Sequence, residues 1–134
     1  MFSVVLYRLK DKWAFATQGE IGPGFYKSIE PVYVFPVEAV DAVWESIERM
    51  RKLGLPKTSS PDRGYEAPVP KALGLKSERS LAKSAYGWTV DEERDGSFSV
   101  AVYAKGEKKP LLEQNAKDWE SAVQIVRNFE AYAF

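Results

Sequence analysis

Nineteen carboxylates, nineteen cations and seven tyrosines carry the polar chemistry of this 134-residue chain, which has no histidine and no cysteine. Without histidine, the commonest general base and nitrogen ligand is missing, and a serine–histidine triad is impossible. Without cysteine, disulfides, thiolate zinc sites and cysteine nucleophiles are excluded. Any catalysis falls to Asp, Glu, Lys, Tyr, Ser and Arg. The sequence offers many of these and makes none converge. No catalytic residue and no cofactor is assigned, and the chain is read as a binding protein rather than an enzyme.

The densest charge cluster is "DEERDG", Asp91 to Gly96. Asp91, Glu93, Asp95 and Gly96 imitate the first half of an EF-hand loop. The position that needs a bidentate glutamate is Val102, however, and the flanks read as strands, so no metal site is expected. On a hairpin tip, Asp91, Glu92, Glu93 and Asp95 instead form an acidic prong suited to a basic partner. Loops held by a rigid scaffold are where recognition residues concentrate.

The second concentration is "GLPKTSSPDRGYEAPVPKALGLKSERSLAKSAYG", which starts at Gly54 and contains four of the eight prolines. Between residues 54 and 85, Lys57, Arg63, Lys71, Lys76, Arg79 and Lys83 oppose Asp62, Glu66 and Glu78. That is six cations against three anions, an excess of three. The chain is neutral overall but polarised. Arg63, Tyr65, Lys76 and Arg79 are the candidate contacts of this insertion, since interfaces favour tyrosine and arginine. Base stacking on Tyr65 or Tyr86 beside the cations gives the alternative, a small regulatory or nucleic-acid-binding module using residues 57–83. The acidic prong would repel phosphate, and the chain lacks a basic excess, so nucleic acid is the weaker partner.

These residues need a scaffold, and the apolar pattern supplies one. "FSVVLYRL" is apolar on both faces, as in a strand inside a sheet. "WAFAT" pairs with it as a hairpin and alternates Trp13 and Phe15 with alanines. "GEIGPG" reads as a loop, because no helix follows to make it a phosphate cradle. "PVYVFP" is a short strand. Val40, Val43, Trp44, Ile47 and Met50 recur at helical spacing and predict a helix over 37–53, with Glu45–Arg49 and Glu48–Lys52 pairs on its wet face. Gly54 and Pro56 end it. Pro70 suits a first helical position, Ser77 or Ser80 caps a further short helix, and Val69, Leu73, Leu75 and Leu81 anchor the insertion to the core. Trp88 and Val90, then Phe98, Val100 and Val102, alternate around an Asp-Gly turn as a second hairpin. A further strand is read near Leu111, and a last helix, capped by Asn115 or Asp118, runs from about Asp118 to Ala133. One tryptophan falls in each of four elements, which places them as core packing.

The sequence therefore predicts one α+β domain over 1–134. It has a mostly antiparallel sheet of five to six strands, two main helices on one face, and a long, partly ordered insertion over 54–85. The apolar start "MFSVVLYRLK" is too short and badly flanked for a signal peptide or membrane span. A cytoplasmic protein without a membrane partner is expected.

The segment "GWTVDEERDGSFSVAVYAKGEKKPLLEQNAKDWESAVQIVRNFEAYAF" sets a Trp-led hairpin, a short polar stretch and a terminal helix opened by "DWESAV" in series. This layout resembles small bacterial immunity proteins of polymorphic toxin systems, including contact-dependent growth inhibition. The resemblance lies in element order, so it carries over no functional residue. It implies a stand-alone protein that binds a cognate toxin domain and neutralises it. Inhibitors of basic nucleases are usually acidic, so a neutral chain of this kind must localise its charge. The expectation is that insertion and acidic prong lie on one side as a bipolar contact surface.

Overall fold

The computed structural model describes residues 1–130. Six strands make one sheet: β1 (Ser3–Arg8), β2 (Lys12–Gly22), β3 (Phe25–Pro36), β4 (Tyr86–Glu92), β5 (Phe98–Tyr103) and β6 (Leu112–Ala116). Their spatial order is β3-β2-β1-β4-β5-β6, and every neighbouring pair is antiparallel. The helices are α1 (Val40–Leu53), α2 (Pro68–Ala72), α3 (Glu78–Ser84) and α4 (Trp119–Glu130). The fold is α+β, as expected.

The register fixes which side chains share a face. Leu6 sits opposite both Phe15 and Trp88, and Val90 is opposite both Val4 and Val100. These residues form the front face with Phe2, Trp13, Phe98, Val102 and Ala116. Val43, Ile47 and Met50 of α1 and Trp119, Ala122 and Val126 of α4 close over it. Trp119 meets the edges of Phe2 and Phe98 at 5.5 and 5.6 Å, and Trp13 lies 5.8 Å from Trp88. Asp118 caps α4 by accepting the Ser121 N–H at 2.8 Å, which stabilises the helix start. The expected end of that helix at Ala133 lies outside the described residues. On α1, Glu48 pairs with Arg51 at 3.5 Å rather than with Lys52. Arg51 also stacks on Trp119 at 4.9 Å, so packing selects its position.

The loop expected at "GEIGPG" is a correction. β2 continues to Gly22 and β3 starts at Phe25, which leaves only Pro23 and Gly24 as the turn. Gly24 takes a positive φ of 78° there, which glycine adopts without steric cost. The strand persists through its glycines because a second segment binds its other side. Glu20 N–H donates to the Pro56 carbonyl, and the Thr58 N–H donates to Glu20 O. β1 and β2 pair only from Leu6 to Arg8, so the start of the insertion occupies the gap where they part. Gly19 is required at this crossing. A Cβ there would stand 2.5 Å from Thr58 Cγ2.

From that crossing the insertion passes to the back face. Val69 of α2 and Leu81 of α3 pack on Ala14 and Ala16, with Leu73, Leu75, Tyr7 and Val32 around them. The small alanines of β2 leave the depth that this third layer occupies. Ser77 caps α3 by accepting the Ser80 N–H at 3.2 Å. Pro68, not Pro70, takes the first helical position of α2. The insertion is thus an ordered layer with its own apolar cluster, separate from the main core on the front face.

Candidate functional site

The insertion covers the back of β3, β2 and β1 and stops there. Beyond Tyr7, the back face of β4, β5 and β6 carries no layer among the described residues. Its side chains follow from the register in three rows: Tyr7–Gly87–Tyr103, then Val5–Thr89–Ala101–Glu113, then Ser3–Asp91–Ser99–Asn115. Tyr7 lies across Gly87, where an added Cβ would touch its ring at 3.8 Å, and so marks the boundary. A shallow hollow of about 410 Å³ runs along Thr89, Asp91, Ser99, Tyr103, Glu113 and Asn115.

Local hydrogen bonds hold the carboxylates of this surface. Ser3 Oγ donates to Asp91 Oδ1 at 2.6 Å, and Ser99 Oγ donates to Glu93 Oε1 at 2.6 Å. Burial raises the Asp91 pKa, the Ser3 hydrogen bond opposes that, and the Glu93 charge adds to it. Asp95 accepts both the N–H and the Oγ of Ser97, at 2.9 and 2.6 Å, and these bonds lower its pKa. Asp91 is thus held from the neighbouring strand β1, Glu93 from β5 and Asp95 from its own turn.

The acidic prong is divided by the pleat. Glu93 follows Asp91 on the back face. Glu92 pairs with Phe98, a front-face residue, and is half-buried there. Asp95 belongs to the turn and is exposed. Among the expected basic contacts, Arg63, Lys76 and Arg79 are exposed on the insertion. No ion pair or hydrogen bond joins them to Glu92, Glu93 or Asp95 among the described residues. Tyr65 serves the fold itself. Its hydroxyl donates to the Ser28 carbonyl at 2.8 Å, and Lys27 stands 5.5 Å over its ring. It pins the insertion to β3. Lys57 and Lys71 of the insertion are committed to Glu20 and Glu66, which removes two cations from its free basic surface.

Sequence reading missed Thr89, Asp91, Ser99, Tyr103, Glu113 and Asn115 as one surface. The available signal was alternation in β4 and β5, where polar residues at 89, 91 and 99 interleave with Trp88, Val90, Phe98 and Val100, whereas in β6 Glu113, Gln114 and Asn115 are all polar and give no such signal. A second hollow, about 810 Å³, lies between α1 and α4 over Trp44, Trp119 and Val123, with Glu45, Arg49, Lys52 and Arg127 among its walls. Its rim carries both charge signs, and the Asp41–Arg127 contact of 3.5 Å spans it. No protein-family model, curated protein or solved structure matches the chain.

Proposed function

We infer that this protein is a stoichiometric binding protein of the immunity type, which masks a cognate bacterial toxin domain through the open back face of β4–β6. One observation carries this reading. Among the described residues, half of one sheet face lacks a covering layer, and its Asp91 and Glu93 carboxylates are already held by Ser3 and Ser99. Groups fixed before contact lose little further freedom on binding, so they suit tight and specific association. Asp91, Glu93 and Glu113 give this patch a local negative sign on a chain of zero net charge, and that sign fits a basic toxin surface. The layout resemblance to immunity proteins supports the same reading, and so does a reactive inventory without histidine or cysteine.

The test is co-expression with the toxic domain encoded next to the gene. Growth rescue together with a 1:1 complex on size exclusion is the expected result. A Glu93→Lys, Glu113→Lys double variant should slow association by about tenfold or more at low salt. Absence of rescue by the folded wild-type protein would overturn the reading.

A further inference from the structure

We propose that β6 is a docking edge, to which an extended segment of a partner protein adds as a seventh strand and presents an arginine or lysine to Glu113. This deepens the binding-protein reading above and rests on it for the partner's origin.

The hydrogen-bond phase of the sheet shows which backbone groups are available. Glu93 N–H donates to Ser97 O across the β4–β5 turn. Residues 91 and 99, and then 89 and 101, are therefore the directly bonded pairs of that hairpin. The amides and carbonyls of Phe98, Val100 and Val102 then point the other way, toward β6, where they meet Ala116, Gln114 and Leu112. In β6 the N–H and C=O of Glu113 and Asn115 consequently point out of the sheet, on its last strand. Their side chains lie on the uncovered back face, since Glu113 neighbours Ala101 and Asn115 neighbours Ser99. Backbone and side chains thus offer themselves to one incoming strand, as β-addition requires.

The opposite edge is treated differently. Pro31 and Pro36 lack amide protons and bracket the outward positions of Val32 and Val34 on β3. Tyr65 already occupies the Ser28 carbonyl. α2 also lies over the back of β3, with Val69 near Val32. These are devices that block strand addition, and β6 has none of them within Leu112–Ala116.

Charge selects the occupant. An incoming residue opposite Glu113 sits on the back face at contact distance. Asp91 and Glu93 extend the negative field behind it. Lys108, Lys109 and Lys117 flank β6 at its two ends, so a single central cation is favoured over a wholly basic strand. A second copy would add another set of the same carboxylates to one continuous face, without a cation between them.

The probes are two capped pentapeptides, Thr-Val-Arg-Val-Thr and Thr-Val-Glu-Val-Thr, titrated to millimolar concentration into the isolated protein. Amide shifts and hydrogen exchange are read by NMR. The arginine peptide should shift and protect the Glu113 and Asn115 amides, while the glutamate peptide should bind at least tenfold more weakly. Asn115→Pro removes an outward amide and no ladder bond, a place where edge strands tolerate proline. It should weaken the arginine peptide by about tenfold, with unchanged near-UV circular dichroism as the control for folding. Glu113→Gln provides a second variant that leaves the backbone intact and should abolish the preference for arginine. Four results would overturn the proposal: no binding, protection elsewhere, equal affinity for both peptides, or concentration-dependent protection without peptide. The last would identify a second copy as the occupant. The assay contains no toxin, so its failure is separate from failure of growth rescue.

Discussion

The two halves of the back face belong to different strands of one sheet and follow opposite patterns. On β2, alternate positions are Ala14 and Ala16, and Val69 and Leu81 settle on them as a third layer. On β4 to β6, the equivalent positions are Thr89, Asp91, Ser99, Glu113 and Asn115, and among the described residues no layer packs over them. The centre of the front face is one apolar cluster. One side of a sheet can thus serve folding in one half and recognition in the other. Small apolar residues invite a layer by leaving volume, whereas carboxylates and hydroxyls make covering costly unless a partner replaces their water.

The largest way to break this contrast is to remove the apolar contact of the covered half. Leu81→Ala should destabilise by about 2–4 kcal/mol in urea unfolding, because a fully buried side chain leaves a cavity. Thr89→Ala on the open half should change stability by less than about 0.5 kcal/mol. Comparable losses at both sites would show that the open half is packed after all.

Next in size is overpacking. Ala16→Leu should cost about 1–3 kcal/mol and expose the insertion to proteolysis. If it left stability and protease resistance unchanged, the alanines would not be what seats α2 and α3.

A subtler contrast lies in pH. Glu20 in the covered half meets Lys57 and, at 3.8 Å, the Met1 amine, and these lower its pKa, chiefly through the Lys57 hydrogen bond. A lowered folded value stabilises the fold above the unfolded pKa, and that contribution disappears as pH falls through the folded pKa. Glu20→Gln should therefore lower Tm at pH 7 and have little effect near pH 3. Asp91 in the open half has a raised pKa, mainly from burial. Its contribution is favourable below the unfolded aspartate value and is lost as pH rises through the folded one. Asp91→Asn should raise Tm relative to wild type at pH 7 and not at pH 3. Thermal scans at the two pH values check both signs, and a shared sign would break the comparison.

The smallest effect is expected at the free cations. Lys76→Glu and Arg79→Glu should each alter stability by less than about 0.5 kcal/mol, since exposed charges without partners contribute little to folding. Tyr65→Ala is different, because the Tyr65 hydroxyl bonds Ser28. Its removal should loosen the insertion, read as faster amide exchange over Gly64–Lys71, before any effect on binding is measured.

Much of the architecture was legible in local pattern. The helical spacing of Val43, Ile47 and Met50 and the alternation of Trp88, Val90, Phe98, Val100 and Val102 identify elements and their front face, because burial follows the 3.6- and 2-residue periods. The Asp-Gly turn and the Asp118 cap are likewise short-range chemistry. The "GEIGPG" stretch misled because its extension depends on Pro56 and Thr58, which arrive from far along the chain. The basic insertion and the acidic prong were visible as charge. Whether Tyr65 meets a partner or Ser28 depends on where the insertion lands. The alternation of Glu92 and Glu93 across the pleat depends on the β4–β5 register. The sequence by itself determined the residue inventory, the period of each element and the turns, all of which act over a few neighbouring residues. Only the tertiary structure decided that α2 and α3 cover β1–β3 and leave β4–β6 open, because that choice rests on the long-range fit of Val69 and Leu81 to the space above Ala14 and Ala16.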